Sequence, residues 1–419
     1  MKSLTRAVVV TVLGLVGTLV SVAPAAGSMA APPPRTCADP AAPLTVEEQR
    51  LTRPAPGQIL ARSGFDRFGR IFTPALCAVP NARVAEKVVE VQGRALWAAA
   101  VARAQGTLPA GTLPVTDDRP LYWARLQLTK ALRQWTPSFD LSAERRTELL
   151  ALIERTSRGH DTVRYPGGLP RLLVSGFDPF QLDIDIRRSN PSGVTALALD
   201  GTVVQTATGR ARIETVTFPV LWGPFAEGMV ESVFLPTLRD GVDLFTTISQ
   251  GRVGRFDVER YNGRWRGGYP DNDNVSYVGT VPIPDGVPTV TPAPEFVPTT
   301  LPYADMIATP SGPFPVFDNT SVVEIPAGAT APVTQPLGPT PGSVARAGGG
   351  GDYLSNEIAY RATLLRDALG LSVPGGHLHT PVLQFGPGNT TELTDPVFEA
   401  NQLAILNQAR EILILAAGA

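Results

Sequence analysis

The chain has 419 residues, of which 43% are apolar, so it can bury the core of two ordinary domains or of one enlarged domain. Its 36 basic and 38 acidic residues give a formal net charge of −2, which excludes the basic surface of a nucleic-acid-binding protein. Three histidines and two cysteines are too few for a His-rich metal centre, a zinc ribbon or an iron–sulfur cluster. We therefore expect neither a metal site nor another cofactor.

The first 30 residues have the pattern of an export signal. Lys2 and Arg6 precede an uncharged apolar run from Ala7 to Val22, and small residues follow up to Ala30. The run is shorter than the ~20 residues that a membrane-spanning helix needs, so cleavage is favoured over an uncleaved anchor. We predict a signal peptide over residues 1–30, a secreted mature protein and no stable membrane anchor after cleavage.

The two cysteines, Cys37 and Cys77, would both lie in an oxidising compartment after export. A disulfide between them would close a loop of about 40 residues, worth roughly 3–4 kcal/mol if it acts through loop entropy. The alternative is a reactive thiol at Cys77, but no histidine and no helix start lie near it in the sequence. We predict the Cys37–Cys77 disulfide.

Residues 31–165 are predicted to form an N-terminal irregular and helical region. The segment 31–82 is rich in Pro and Ala, and we expect little regular structure in it. Apolar residues then recur at helical spacing, which predicts helices over residues 83–105, 121–135 and 141–156. His160 follows in a polar stretch and is predicted to lie in a loop.

From residue 166 to the end, the pattern becomes that of an α/β domain. Short apolar runs predict strands near residues 172–174, 215–221 and 244–248, with a helix over 225–238. Strands that alternate with helices predict a doubly wound, mostly parallel sheet flanked by helices. Ligands bind such sheets beyond the carboxyl ends of the strands. The candidate loops therefore follow Val174, follow Ile248 and contain the glycine run Gly348–Gly351.

Two further segments complete this domain. Prolines recur every few residues from 281 to 343, which predicts a long extended insertion or surface loop. Apolar residues at helical spacing over 397–417 predict a C-terminal helix that docks on the domain.

Ser355 is the first candidate for chemistry. It follows the glycine run and precedes a helical pattern, so it is predicted at or just before a helix N-terminus, where free N–H groups favour a developing anion. Its alternative role is a simple N-cap.

His379 and Glu259 are the candidate partners of Ser355. His379 can act as the general base that removes the proton of a serine nucleophile, and Glu259 can orient the imidazole. Glu259 can instead form an ion pair with Arg255 or Arg260. His377, two residues before His379, would share a strand face with it and has no assigned role.

A series of short motifs runs in order through residues 171–390, about half of the chain. The motifs are Gly176-Phe177-Asp178-Pro179-Phe180, Asn190-Pro191-Ser192, Ser249-Gln250-Gly251, Glu259-Arg260, Pro270-Asp271-Asn272, Thr300-Leu301-Pro302, Tyr353-Leu354-Ser355-Asn356 and Leu378-His379-Thr380-Pro381. This ordered set resembles the pyroglutamyl peptidase I (pyrrolidone-carboxylate peptidase) family.

The resemblance implies a doubly wound α/β domain that removes an N-terminal pyroglutamyl residue from peptides. The family uses a Cys–His–Glu triad, in which His379 would be the base and Glu259 the acid. Ser355 falls at the position of the nucleophilic cysteine, so a Ser–His–Glu variant is implied.

The resemblance also implies a binding pocket for a peptide with a blocked, pyroglutamyl N-terminus. Phe177 and Phe180 would form its walls, with Gln250 and Tyr353 beside them. The alternative is a catalytically inactive binding protein on the same fold that recognises modified peptide N-termini.

Overall fold

Six α-helices precede the first strand in the part of the chain that the computed structural model describes, residues 37–309 and 311–419. The last three match the predicted helices within a few residues: α4 Ala82–Ala104, α5 Arg119–Gln134 and α6 Ala143–Thr156. His160 lies in a turn after α6, as predicted. The predicted signal peptide lies outside the described residues.

The expectation of little regular structure before residue 82 is wrong for its described part. This part holds three helices: α1 Val46–Gln49, α2 Pro54–Ser63 and α3 Asp66–Ala78. Pro54 and Pro56 lie in the first turn of α2, where backbone N–H groups have no helical acceptor and proline costs little. High proline content therefore did not exclude helices here.

The predicted disulfide is confirmed. Cys37 is bonded to Cys77 in the last turn of α3, with the two Cα atoms 5.5 Å apart. This separation is usual for a disulfide. The bond ties the first described residue to the helical region.

A seven-stranded sheet forms the centre of the remaining chain. Its strand order is β10-β5-β14-β4-β1-β3-β2. The strands are β1 Arg171–Phe177, β2 Val203–Thr206, β3 Gly209–Phe218, β4 Leu244–Gln250, β5 Phe256–Glu259, β10 Val316–Asn319 and β14 Gly375–Thr380. The four central strands β14, β4, β1 and β3 are parallel, whereas β2 is antiparallel to β3 and β5 is antiparallel to β14. The predicted mostly parallel sheet is confirmed.

Helices cover both faces of this sheet because successive strand residues point to opposite faces. Leu172 and Val174 share one apolar core with α7 Pro191–Leu199 and α12 Pro396–Gly418. Leu173 points the other way. It packs in a second core with α9 Met229–Arg239 and α11 Leu354–Ala368. The predicted C-terminal helix is confirmed as α12.

The predicted helix over 225–238 is interrupted. The structure has α8 Trp222–Ala226 and then α9, separated at Gly228, whose φ of +88° is a left-handed conformation that favours glycine.

The proline-rich insertion 281–343 is more than a surface loop. It contributes β10 to the edge of the main sheet and β11 Val322–Ile325 to a three-stranded sheet, β12-β11-β13. The insertion and its flanks also contain β6 Tyr261–Gly263, β7 Trp265–Gly267, β8 Val278–Thr280, β9 Phe296–Pro298, α10 Tyr303–Ala308, β12 Val333–Gln335 and β13 Val344–Ala347. The strands are only three or four residues long and the prolines mostly lie between them, so no strand period is visible in the sequence.

No helix in residues 37–309 and 311–419 is both long enough and apolar enough to cross a bilayer.

Candidate active site

A histidine and a carboxylate form the buried centre of the site. His379 lies on β14 and Glu259 ends the neighbouring strand β5, and His379 Nδ1 is 2.7 Å from Glu259 Oε1. Glu259 is completely buried and His379 is 5% exposed. A proton on Nδ1 that is donated to the carboxylate leaves the lone pair on Nε2 available to accept a proton.

The alternative ion pairs of Glu259 are not formed. Arg255 lies 3.0 Å from Asp257, and Arg260 lies 2.9 Å from Asp318. Both guanidinium groups therefore have other carboxylate partners, and Glu259 remains with the imidazole.

Asn319 is a further member of the site that the sequence did not reveal. It ends β10 in the proline-rich insertion, and its Nδ2 donates to Glu259 Oε2 at 2.7 Å and to the Gly349 carbonyl at 2.9 Å. Both of its donor hydrogens are therefore used, and both oxygens of Glu259 are hydrogen-bonded. Nothing in the local sequence distinguishes Asn319, because its role depends on pairing of β10 with β5.

The glycine run allows the backbone to approach the His379–Glu259 pair. Gly348 and Gly351 exchange backbone hydrogen bonds across a tight turn, and Gly351 has a φ of +92°. A Cβ at Gly349 would overlap the Glu259 carboxylate, and one at Gly350 would lie 3.0 Å from His379 Cε1. Larger residues at these two positions would displace the pair.

Ser355 is the second residue of α11, so the N-cap interpretation is wrong. The N-cap is Tyr353, whose side chain makes no capping hydrogen bond. Ser355 is partly exposed, and its Oγ donates to the Gly350 carbonyl at 3.3 Å. Within the described chain, the N–H groups of Leu354, Ser355 and Asn356 have no acceptor. They therefore offer donors to an anion at the positive end of the helix dipole.

Ser355 and His379 line the same cavity, which has a volume of about 300 Å³. They are not hydrogen-bonded to each other in the described structure, since Ser355 Oγ bonds Gly350 instead. Hydrogen bonds between a nucleophile and its base are often long or absent without substrate and shorten in the complex. The structure therefore brings the candidate nucleophile and the candidate base to one cavity without a hydrogen bond between them.

The three candidate loops all meet at this cavity. Phe177 ends β1 and Phe180 lies in the loop after it, Gln250 ends β4, and the turn before α11 contributes Tyr353. These are the four residues predicted to bind substrate, and all of them line the cavity. Their binding roles remain predictions.

The aromatic wall of the cavity is built around Tyr353. Its ring lies 6.5 Å from that of Phe180 and 5.2 Å from those of Trp222 and Tyr269, measured between centroids. Its hydroxyl donates to the Pro270 carbonyl at 3.0 Å, and burial raises the pKa of this phenol above its ordinary value. The ring is therefore neutral and held in one orientation against the cavity.

His377 packs against His379 on the same face of β14. Its Nδ1 is 2.7 Å from Thr247 Oγ1 and its Nε2 is 2.8 Å from Ser249 Oγ, so both ring nitrogens have partners on β4. Burial, together with the neighbouring His379, lowers the pKa of His377 well below its ordinary value. The neutral ring meets that of His379 edge-on, with centroids 4.5 Å apart. The two histidines share a strand face, as predicted, but only His379 reaches the cavity.

No group of three His, Cys, Asp or Glu side chains that can hold a metal ion occurs in the described ranges.

Family models and a curated relative match most of the chain. The model of the PA0049 N-terminal domain matches residues 28–154, and that of the PA0049 C-terminal domain matches residues 171–309 and 313–384. The uncharacterized protein PA0049 of Pseudomonas aeruginosa is 34% identical over 88% of each chain. The first match ends in the last turn of α6, and the second begins at the start of β1.

Solved structures of peptidases are more distant. A mutant pyrrolidone carboxyl peptidase from Pyrococcus furiosus is 21% identical, with a TM-score of 0.38 over 59% of this chain and 97% of its own. Pyroglutamyl peptidase I of Bacillus amyloliquefaciens is 17% identical, with a TM-score of 0.37 over 60% and 96%. The pyrrolidone carboxyl peptidase of Thermococcus litoralis is 18% identical, with a TM-score of 0.37 over 58% and 94%.

Proposed function

The chain belongs to the PA0049 family, and we propose that it is a peptidase-like hydrolase that removes an N-terminal pyroglutamyl residue from peptides. One observation carries the proposal. A buried carboxylate holds His379 so that its second nitrogen is free at the cavity that Ser355 lines.

In the proposed reaction, Ser355 Oγ attacks the carbonyl carbon of the pyroglutamyl amide while His379 Nε2 accepts the hydroxyl proton. Glu259 and its donor Asn319 keep the imidazole in the tautomer that can accept this proton and stabilise the imidazolium that results. His379 then gives the proton to the departing amine. Water then attacks the ester carbonyl while His379 Nε2 accepts a proton from it. The bond to Ser355 Oγ breaks, His379 returns the proton to that oxygen, and pyroglutamic acid is released.

The first turn of α11 would stabilise the oxyanion. The free N–H groups of Leu354, Ser355 and Asn356 lie next to the nucleophile on the same helix end. Donors that are already oriented toward the developing charge cost no reorganisation during the reaction.

The proposed substrate follows from the cavity and from the motifs that resemble pyroglutamyl peptidase I. A cavity of about 300 Å³ with aromatic walls suits a small planar ring such as the pyroglutamyl lactam. Phe177, Phe180 and Tyr353 would contact the ring, and Gln250 would lie beside it. The peptide partner would carry this ring as its blocked N-terminus.

Export is part of the proposal. A secreted thiol enzyme must protect its nucleophile from oxidation, whereas a serine needs no such protection. The predicted signal peptide over residues 1–30 would direct the chain to an oxidising compartment, and the Cys37–Cys77 disulfide supports that location.

A second candidate is a binding protein without catalysis, which uses the same cavity to recognise a modified peptide N-terminus. The hydrogen bond of Ser355 Oγ to Gly350, instead of His379, favours this candidate.

The deciding experiment is release of a fluorophore from a pyroglutamyl amide by the wild type, Ser355→Ala and Ser355→Cys. Activity in the wild type that Ser355→Ala abolishes supports the Ser–His–Glu hydrolase. A silent wild type with an active Ser355→Cys variant identifies a binding protein on an intact scaffold. Silence of all three proteins contradicts pyroglutamyl specificity.

A further inference from the structure

We infer that Arg252 binds a carboxylate of the substrate beyond the scissile bond, so that the pocket selects pyroglutamyl peptides with an anionic group next to the pyroglutamyl residue. This inference rests on the proposed function for the identity of the bound peptide. Arg252 is the one permanently charged side chain among the described residues that line the cavity.

The position of Arg252 is set by two strands that also form the site. It follows β4, and its backbone carbonyl accepts a hydrogen bond from Val382 N at 3.0 Å. Its Nη1 donates to Asp257 Oδ2 at 2.9 Å. Asp257 is completely buried on β5, where it pairs in register with His379. The guanidinium is therefore attached to the strand neighbouring that of the proposed base.

The guanidinium of Arg252 also has N–H donors that make no hydrogen bond within the described residues. Its side chain is 49% exposed, and its Nε and Nη2 have no acceptor in the described part of the chain. Because a guanidinium has five N–H donors in a planar fork, one bond to Asp257 leaves enough to bind a carboxylate through two parallel hydrogen bonds.

The charges around Arg252 leave a net positive group at the cavity. Asp257 is shared with Arg255, which lies 3.0 Å from its other oxygen, so the three side chains together carry one excess positive charge. The other carboxylate near the cavity, Glu259, is bound by His379 and Asn319 and is completely buried. A substrate carboxylate therefore meets attraction at Arg252 that no free acidic side chain of the cavity lining opposes.

A purely structural role for Arg252 would be to neutralise Asp257. Arg255 already pairs with Asp257, is less exposed at 33% and does not line the cavity. The two arginines thus share one structural partner, and only Arg252 can also contact a ligand in the cavity. Arg255 is the matched control.

The test measures binding with the nucleophile removed, so that it does not depend on turnover. Calorimetric titrations of Ser355→Ala use three probes: pyroglutamyl-alanine amide, pyroglutamyl-glutamic acid α-amide and pyroglutamyl-alanine with a free carboxylate. We expect at least one of the two carboxylate probes to bind on the order of tenfold more tightly than the neutral amide, as charge-assisted hydrogen bonds predict. Tighter binding of the glutamic acid probe would identify the side-chain carboxylate as the group that Arg252 binds. Tighter binding of the free acid would identify the C-terminal carboxylate of the peptide.

The same titrations on Arg252→Met and Arg252→Gln, each combined with Ser355→Ala, should lose the preference, whereas Arg255→Met should keep it. Thermal unfolding checks that each variant is folded. If one of the two Arg252 variants does not fold, the other still tests the inference. Equal affinity of Ser355→Ala for all probes overturns the inference, as does a preference that survives both Arg252 variants. Failure of the wild type to hydrolyse a pyroglutamyl amide contradicts the proposed function alone, because probe preference is measured independently of hydrolysis.

Discussion

Asn319 donates a hydrogen bond of 2.7 Å from Nδ2 to Oε2 of Glu259, so a strand of the proline-rich insertion supports the carboxylate that holds His379. The insertion is therefore part of the candidate active site. Its register also matters, since Asn319 pairs with Glu259 across β10 and β5.

The first prediction follows from this hydrogen bond. Asn319→Ala should lower kcat on a pyroglutamyl amide by about tenfold or more, because the buried carboxylate loses a donor worth ~1.5–3 kcal/mol. Asn319→Asp should lower it further and move the acidic limb of the pH–rate profile upward, since a second carboxylate beside Glu259 raises the pKa of the pair.

The control for Asn319 is Thr320→Ala. Thr320 is the next residue, and its hydroxyl bonds the Pro336 carbonyl away from the site. In steady-state kinetics, the kcat of Thr320→Ala should be close to that of the wild type. Equal rates for the Asn319 variants and the wild type would refute a positioning role.

The second prediction concerns the glycine run. Gly349→Ala should abolish hydrolysis and reduce the free energy of unfolding by about 1–3 kcal/mol, because its Cβ would overlap the Glu259 carboxylate. The control is Gly57→Ala in helix α2, where a Cβ meets nothing within 4 Å. That change should stabilise the protein by up to ~1 kcal/mol, because alanine is the better helix former. Urea unfolding measures both; equal effects at the two sites would contradict the steric argument.

The third prediction concerns Asp178, which follows the cavity residue Phe177. Arg125 of α5 bonds its carboxylate at 2.9 Å, and Arg158 bonds it at 2.7 Å, so the helical region holds the loop after β1. All three side chains are almost completely buried. Asp178→Asn should therefore reduce the free energy of unfolding by about 3–5 kcal/mol, because the buried Arg125 loses its counter-charge and the buried Arg158 keeps only Glu154. It should also raise KM for the pyroglutamyl substrate.

Glu90→Gln provides the control for Asp178. Glu90 pairs with Lys87 and Arg94 on the surface of α4, where solvent screens ion pairs and they contribute little to stability. In urea unfolding, Asp178→Asn should lose much more free energy of unfolding than Glu90→Gln. Similar small losses would indicate that the Asp178 cluster does not hold the loop.

The fourth prediction concerns stability against pH. Burial, with a smaller contribution from Asp273, raises the pKa of Glu47 from 4.5 to about 8. Between these values the folded protein keeps a proton that the unfolded chain releases, so the free energy of unfolding falls as pH rises through this range. Glu47→Gln removes that proton equilibrium. Its amide oxygen can still accept from Tyr122 Oη and Asn272 Nδ2, which donate at 2.8 and 2.9 Å.

Urea unfolding of the wild type and Glu47→Gln at pH 5 and pH 8.5 tests this prediction. The variant should gain stability relative to the wild type at the higher pH, and the difference should be small at pH 5. Parallel dependence of the two proteins on pH would show that Glu47 ionises normally in the folded state.

Local sequence was sufficient for the elements that have a clear period. The apolar spacing of α4 to α6 and of α12, and the short buried runs of β1 and β4, identified these elements within a few residues. The order of the short motifs, through its resemblance to the pyroglutamyl peptidase I family, selected Ser355, His379 and Glu259 as candidates. In the structure, Ser355 and His379 line one cavity and Glu259 is hydrogen-bonded to His379. The disulfide prediction followed from there being two cysteines in a chain with a predicted export signal.

Only the tertiary structure decided the partners of those residues. Asn319 contributes through the pairing of β10 with β5, which joins residues 60 positions apart, and the sequence between them shows no period. The structure likewise assigned Arg255 and Arg260 to other carboxylates and left Glu259 to His379. Hydrophobic periodicity is a local property of the chain, whereas hydrogen-bond partners of buried polar groups depend on which distant strands are neighbours. The sequence by itself therefore determined the candidate chemistry, and the fold determined which side chains support it.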